Sequence, residues 1–186
     1  MPDPAQRLAA YEDLLAVPEH LVAEIINGRL VTHPRPSPRH AWAASSLGDE
    51  LVSPFQKGRG GPGGWIILDE PELHLGRQVL VPDLAGWRRQ RLASLPETPY
   101  FELAPDWICA VLSISTARAD RAEKMPIYAA QSVSFLWLVD PQVQTLEVYL
   151  RHQNGHWLLL ATLEGADQVC QPPFEAITFD LGALWP

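Results

Sequence analysis

Two stretches of this chain set polar groups capable of chemistry inside or beside apolar runs. In VLVPDLAGW, residues 79–87, Asp83 interrupts an otherwise apolar segment. A carboxylate there is costly unless a cation or strong hydrogen-bond donors meet it. Either a ligand-binding role or a set of backbone donors at a strand end accounts for it. In DWICAVLSISTARADRAEKMPIYA, residues 106–129, an apolar run leads into Asp120, Glu123, Lys124 and Tyr128. Those groups either serve a pocket or form a solvated helix face with an i,i+4 pair, Asp120 to Lys124. The middle of the apolar run, Cys109-Ala110, carries no acid.

The elements that must position these groups follow from pattern. AYEDLLAVP reads as a short helix ended by Pro18, and LVAEIINGRLVTH as a hairpin, because Asn27-Gly28 favours the positive φ angles of a tight turn. Ser37 as cap, Pro38 at the first helical position and Ala41, Ala44, Leu47 and Leu51 on one face predict a helix from about Pro38 to Phe55. KGRGGPGG lacks the following Lys-Ser or Lys-Thr of a phosphate-binding loop and reads as a connector. Strand segments then surround Gly76. DWICAVLSIS and VSFLWLVDP are too continuously apolar to leave one face in water, so both are expected as buried strands. Ser115 or Thr116 can cap the helix between them, which Pro126 must kink or shorten. A hairpin around Asn154-Gly155, a last strand and a turn of helix complete the chain. The expected fold is α/β or mixed α+β, one domain over 1–186 with a central mixed sheet flanked by helices. Residues 1–34 form its N-terminal helix and hairpin, and 140–186 extend it with C-terminal strands.

Composition narrows the function classes. With 186 residues, 47% of them hydrophobic and 19% charged, the chain can bury a full core. No apolar run approaches a membrane span and the N-terminus lacks a signal-peptide pattern, so a cytoplasmic protein with no membrane partner is expected. Two cysteines make neither a disulfide framework nor a metal quartet. The net charge of −8 argues against simple tracking of a nucleic-acid backbone. Residues 35–91 nevertheless hold eight basic groups against six acidic ones, so a polyanion contact would fall mid-chain. The tryptophans lie in apolar stretches and read as core rather than as stacking platforms.

Taken in order, Glu24 in AEIINGRLV, His40 in PSPRH, Glu72 in EPELHLG, Pro82-Asp83 in VPDLAGW, then VLSISTARADRAEKMPIYA and LWLVDP resemble the Uma-two family of restriction endonucleases, within the PD-(D/E)XK nuclease superfamily. The resemblance spans roughly residues 10–185. It implies a restriction-endonuclease-like core of helix, three-stranded meander, helix and strand, with a carboxylate pair that binds Mg²⁺ (or Mn²⁺) at the sheet's centre. Such an ion supplies a nucleophilic water and charge relief for phosphodiester cleavage, and takes one or two carboxylates plus waters and phosphate oxygens.

By position, Asp83 matches the family's proline-aspartate ligand, and Lys124 matches a lysine moved onto the following helix. Where family members read like VVEVLS this sequence has ICAVLS, so Ala110 stands at the expected glutamate position. The implied function is a Mg²⁺-dependent DNA endonuclease, impaired because a principal ligand is missing. Glu72, Glu70 or Glu24 could substitute as ligand or catalytic acid, and His40 is a candidate substrate-contacting or metal-near group. Arg39, Arg88, Arg89 and Arg121 are the candidate nucleic-acid contacts. DNA and a twofold homodimer are the expected partners, because cutting two strands needs two centres. The alternatives are a non-catalytic nucleic-acid-binding module and a protein-interaction domain that retain the nuclease fold.

Overall fold

The structure, a computed structural model, describes residues 7–186. A short helix α1 (Tyr11–Leu15) precedes the hairpin β1 (Leu21–Ile26) and β2 (Arg29–Pro34), whose turn residues Asn27 and Gly28 both take positive φ. Helix α2 (Pro38–Leu51) opens with the Ser37 side chain accepting from the His40 amide and runs on into a wide π turn, Val52–Gln56. Strands β3 (Trp65–Asp69), β4 (Leu73–Leu75), β5 (Gln78–Leu80), β6 (Leu84–Arg88) and β7 (Trp107–Val111) follow. The expected helix after β7 is broken into α3 (Ala117–Ala119), a π turn over Asp120–Lys124, and α4 (Met125–Ala130). Pro126 sits in the first turn of α4 and has no amide to donate backwards, so the preceding turn widens. Strands β8 (Phe135–Asp140), β9 (Thr145–Arg151), β10 (Trp157–Glu164), β11 (Gln168–Val169) and β12 (Phe179–Asp180) and a final 3₁₀ turn, Leu181–Leu184, end the chain.

The central sheet has six strands in the order β10-β9-β8-β7-β6-β3. Strands β3, β6 and β7 pair antiparallel, and β7 pairs parallel with β8 across the broken helix. This is the expected helix, meander, helix, strand core. The β4–β5 hairpin is inserted within it and joins β1 and β2 in a separate four-stranded sheet, β2-β1-β5-β4.

Alternation along β7 divides the interior into two packed layers. Trp107, Cys109 and Val111 face the core beneath α2 (Ala43, Leu47, Leu51), with Trp65, Trp137 and Phe174. Ile108, Ala110 and Leu112 face the other core, shared with Ile26 of β1, Leu73 and Leu80 of the smaller sheet and Ile127 and Tyr128 of α4. Elements of both layers therefore meet at the end of β7.

Candidate functional site

Asp83 precedes β6, and its place follows from register. Leu84 faces Cys109 and Ala85 faces Ile108, so Asp83 stands just beyond the end of the β6–β7 ladder, beside the Ala110–Val111 end of β7. Asp83 Oδ2 accepts a hydrogen bond from the Val111 amide at 2.7 Å, and Oδ1 lies 3.1 Å from His40 Nε2. The backbone donor offered by the sequence as one account of Asp83 is thus present, and His40 stands beside the carboxylate. Burial works against a charged His40, but the hydrogen bond and charge of Asp83 outweigh it and raise the imidazole's pKa.

The second half of the site comes from β1 and the π turn. Glu24, 1% exposed, accepts from the Val81 amide at 2.8 Å through Oε1, while Oε2 is 2.7 Å from Lys124 Nζ. Lys124 also reaches Asp120 Oδ1 at 3.2 Å. Burial alone would neutralise Glu24, yet the neighbouring His33, the Lys124 charge and the Val81 amide hold its carboxyl below the usual range. Lys124 behaves in the same way, its pKa raised against burial by two carboxylates. Asp120 shifts the other way: burial lifts its carboxyl, with a further push from Asp83 that Lys124 and Thr116 only partly offset. The Tyr128 hydroxyl is fully buried near these acids and has no hydrogen-bond partner among the described residues, and burial and the acids raise its pKa well above normal.

These groups line one pocket of about 240 Å³, whose walls include Glu24, His40, Asp83, Asp120 and Lys124. Five of the sequence-derived candidates, Glu24, His40, Glu70, Asp83 and Lys124, are thus brought together. Ala110 is buried in the core behind them at 7% exposure.

The other candidates lie outside this pocket wall. The Glu72 carboxylate is outside the pocket wall, where it accepts from Tyr11 Oη at 2.8 Å and lies 2.7 Å from His74 Nε2. Glu72 immediately precedes β4, the edge strand of the smaller sheet. Arg88 ends β6, roughly 17 Å along the strand from Asp83 at about 3.3 Å per residue, where it stacks over Trp65. Arg89 follows it, with its amide donating to Gly64 O. Arg121 pairs with Glu147 at 2.9 Å. Arg39 is exposed on α2 next to His40 but is not in the pocket wall.

The reading missed Arg35, Ser113, Ser115 and Thr116, all of which line the pocket. The Ser113 hydroxyl lies 3.0 Å from that of Ser115 and 2.9 Å from that of Thr116. Their signal was available: they immediately follow a buried strand, where loops commonly carry function.

The acids present offer a divalent cation no preformed site. Mg²⁺ needs free oxygen ligands, whereas Asp83 already meets the Val111 amide and His40, and Glu24 the Val81 amide and the Lys124 ammonium, which a cation would have to displace. Among the described residues no three His, Cys, Asp or Glu side chains are grouped so as to hold a metal.

Comparison with known proteins bears on this geometry. The family model Uma2, described as "Putative restriction endonuclease", matches residues 8–182. A crystal structure described as a putative nuclease belonging to DUF820, from Anabaena variabilis, superposes with a TM-score of 0.74 at 21% identity, covering 95% of this chain and 97% of that one. That likeness shows a shared fold. No curated protein matches the chain. Among the described residues no helix is long and apolar enough to cross a membrane.

Proposed function

The chain belongs to the Uma2 family of restriction-endonuclease-like proteins, and from that premise we propose that its pocket receives a phosphodiester of DNA and that hydrolysis there is strongly impaired. The observation that carries this reading is the Asp83 carboxylate accepting from the Val111 amide, next to Ala110, where the β6–β7 ladder ends. A glutamate at 110 would bring a second carboxylate to that end of β7. Alanine offers no oxygen. The orphaned Tyr128 hydroxyl in the same core is what a missing acceptor would leave.

The other groups suit an anionic substrate. Arg35 and Lys124 provide positive charge, Asp83 raises the His40 pKa toward the charged form, and Ser113 and Ser115 provide hydroxyl donors at the pocket wall. Lys124 is held by two carboxylates, which fixes its position but leaves little of its charge for a phosphate. Binding is therefore expected to be salt-sensitive and weak. For a two-strand substrate we propose a twofold pair of chains.

Plasmid DNA with Mg²⁺ or Mn²⁺ tests the reading. The unaltered chain is expected to bind DNA at low salt without appreciable cutting. Ala110→Glu is expected to nick, and Ala110→Glu with Asp83→Ala is expected to lose that activity. Binding with no cutting by any variant would favour the non-catalytic binding module. No binding at low salt would favour a protein-interaction role.

A further inference from the structure

The loop KGRGGPGG, residues 57–64, lies outside the pocket wall. Gly61 sits against Pro54, where a Cβ would come within 2.4 Å, and a Cβ on Gly63 would meet the Gly58 Cα at 3.6 Å. The loop is therefore folded back on the π turn before it, an approach that side chains would obstruct. It then enters β3, whose first residue, Trp65, pairs with Arg88, and the Arg89 amide donates to Gly64 O at 2.9 Å. Lys57 and Arg59 are thereby brought to the end of β6 that carries Arg88 and Arg89.

All four side chains belong to exposed residues, and among the described residues none of the four forms an ion pair. The Arg88 guanidinium lies 4.6 Å over the Trp65 ring, a contact that steadies it and leaves its charge unneutralised. Asp106, which accepts from the Arg88 amide, is already matched by Arg91 at 2.8 Å. Four unopposed cations at one end of a sheet stand out in a chain with 14 basic and 22 acidic residues.

The pocket, at the other end of β6, has the reverse balance. Its wall holds Glu24, Glu70, Asp83 and Asp120 against Arg35 and Lys124. Lys124 is held by two of those acids, and Arg35 lies 3.7 Å from Glu70. Attraction for a polyanion therefore has to come from outside the pocket.

We propose that Lys57, Arg59, Arg88 and Arg89 form a sequence-independent anchoring surface for the phosphate backbone of duplex DNA, separate from the pocket. This rests on the reading of DNA as the polymer received, but not on its hydrolysis. Trp65 is 4% exposed and covered by Arg88, so it offers no stacking face for an unpaired base, which favours a duplex over a single strand. Four phosphate contacts give a slope of about −3.6 in log affinity against log salt, a loss of about a hundredfold between about 50 and 200 mM.

Anisotropy of a short fluorescein-labelled duplex, titrated with the full chain in the absence of divalent metal, tests the surface. The unaltered chain is expected to show that slope. Lys57→Gln with Arg59→Gln, and Arg88→Gln with Arg89→Gln, are each expected to bind roughly a hundredfold more weakly at about 50 mM salt, with a slope shallower by about 1.8 and an unchanged circular dichroism spectrum. Arg77→Gln, at an exposed arginine in the β4–β5 turn, is expected to change neither affinity nor slope. Location is read separately, because the chain has two lysines, Lys57 exposed and Lys124 buried. Saturating duplex is expected to slow acetylation of Lys57, followed by mass spectrometry. No binding at low salt, an equal loss from Arg77→Gln, a preference for single-stranded oligonucleotide or for anionic lipid vesicles, or undiminished Lys57 acetylation would each overturn the proposal. Protection of Lys57 in a chain whose Ala110→Glu variant does not cut would uphold the surface and remove the hydrolytic reading of the pocket.

Discussion

Lys124 is 6% exposed and remains charged because Glu24 and Asp120 close on it from two elements. Removing one partner of a buried ion cluster leaves charge without compensation, at a cost of about 3–5 kcal/mol. Lys124→Met is expected to lower the urea midpoint accordingly, and Glu24→Gln in the same chain to recover part of the loss. An unchanged midpoint would show that the cluster contributes little. At this scale the sequence was only partly legible. Asp83 stood out because a carboxylate inside an apolar run needs an explanation. Glu24 and Lys124 were singled out through the family resemblance and not by pattern, since a glutamate in a strand and an i,i+4 pair usually face solvent. Their burial depends on β1 reaching across to the π turn, a contact between residues 100 positions apart.

Among the elements, β6 is the most constrained. Gly86 lies between the rings of Trp107 and Trp65, and a Cβ there would meet ring carbons at 3.2 and 3.3 Å. Overpacking of this kind typically costs about 1–3 kcal/mol, so Gly86→Val is expected to lower the thermal midpoint and shift tryptophan emission to the red. The same glycine reads in the sequence as an ordinary strand interruption, because its neighbours come from β3 and β7. Local signals fared better: Asn27-Gly28, Ser37-Pro38 and Asn154-Gly155 each marked a turn or cap that the fold contains. The smaller sheet was not legible. Its β1–β5 pairing joins strands separated by two helical segments and three other strands, and no periodicity in either strand specifies that partner.

For the whole molecule, the C-terminal extension is structural. Phe174 places its ring 4.7 Å from Phe55, 5.0 Å from Trp65, 4.9 Å from Trp107 and 5.6 Å from Trp137, closing the core beneath α2. Truncating a buried phenylalanine costs about 3–5 kcal/mol. At roughly 2–4 °C per kcal/mol for a chain of this size, Phe174→Ala is expected to melt about 10 °C lower by calorimetry. The two layers also bear on the pocket. His40 comes from the α2 side, Glu24 and Lys124 come from the opposite side, and Asp83 stands at the seam between them. A small slide of α2 over the sheet would pull the imidazole away from Asp83 while leaving the lysine in its clasp. The two halves of the cleft can thus come apart independently, and the carboxylate at the seam is the group whose surroundings such a slip would alter.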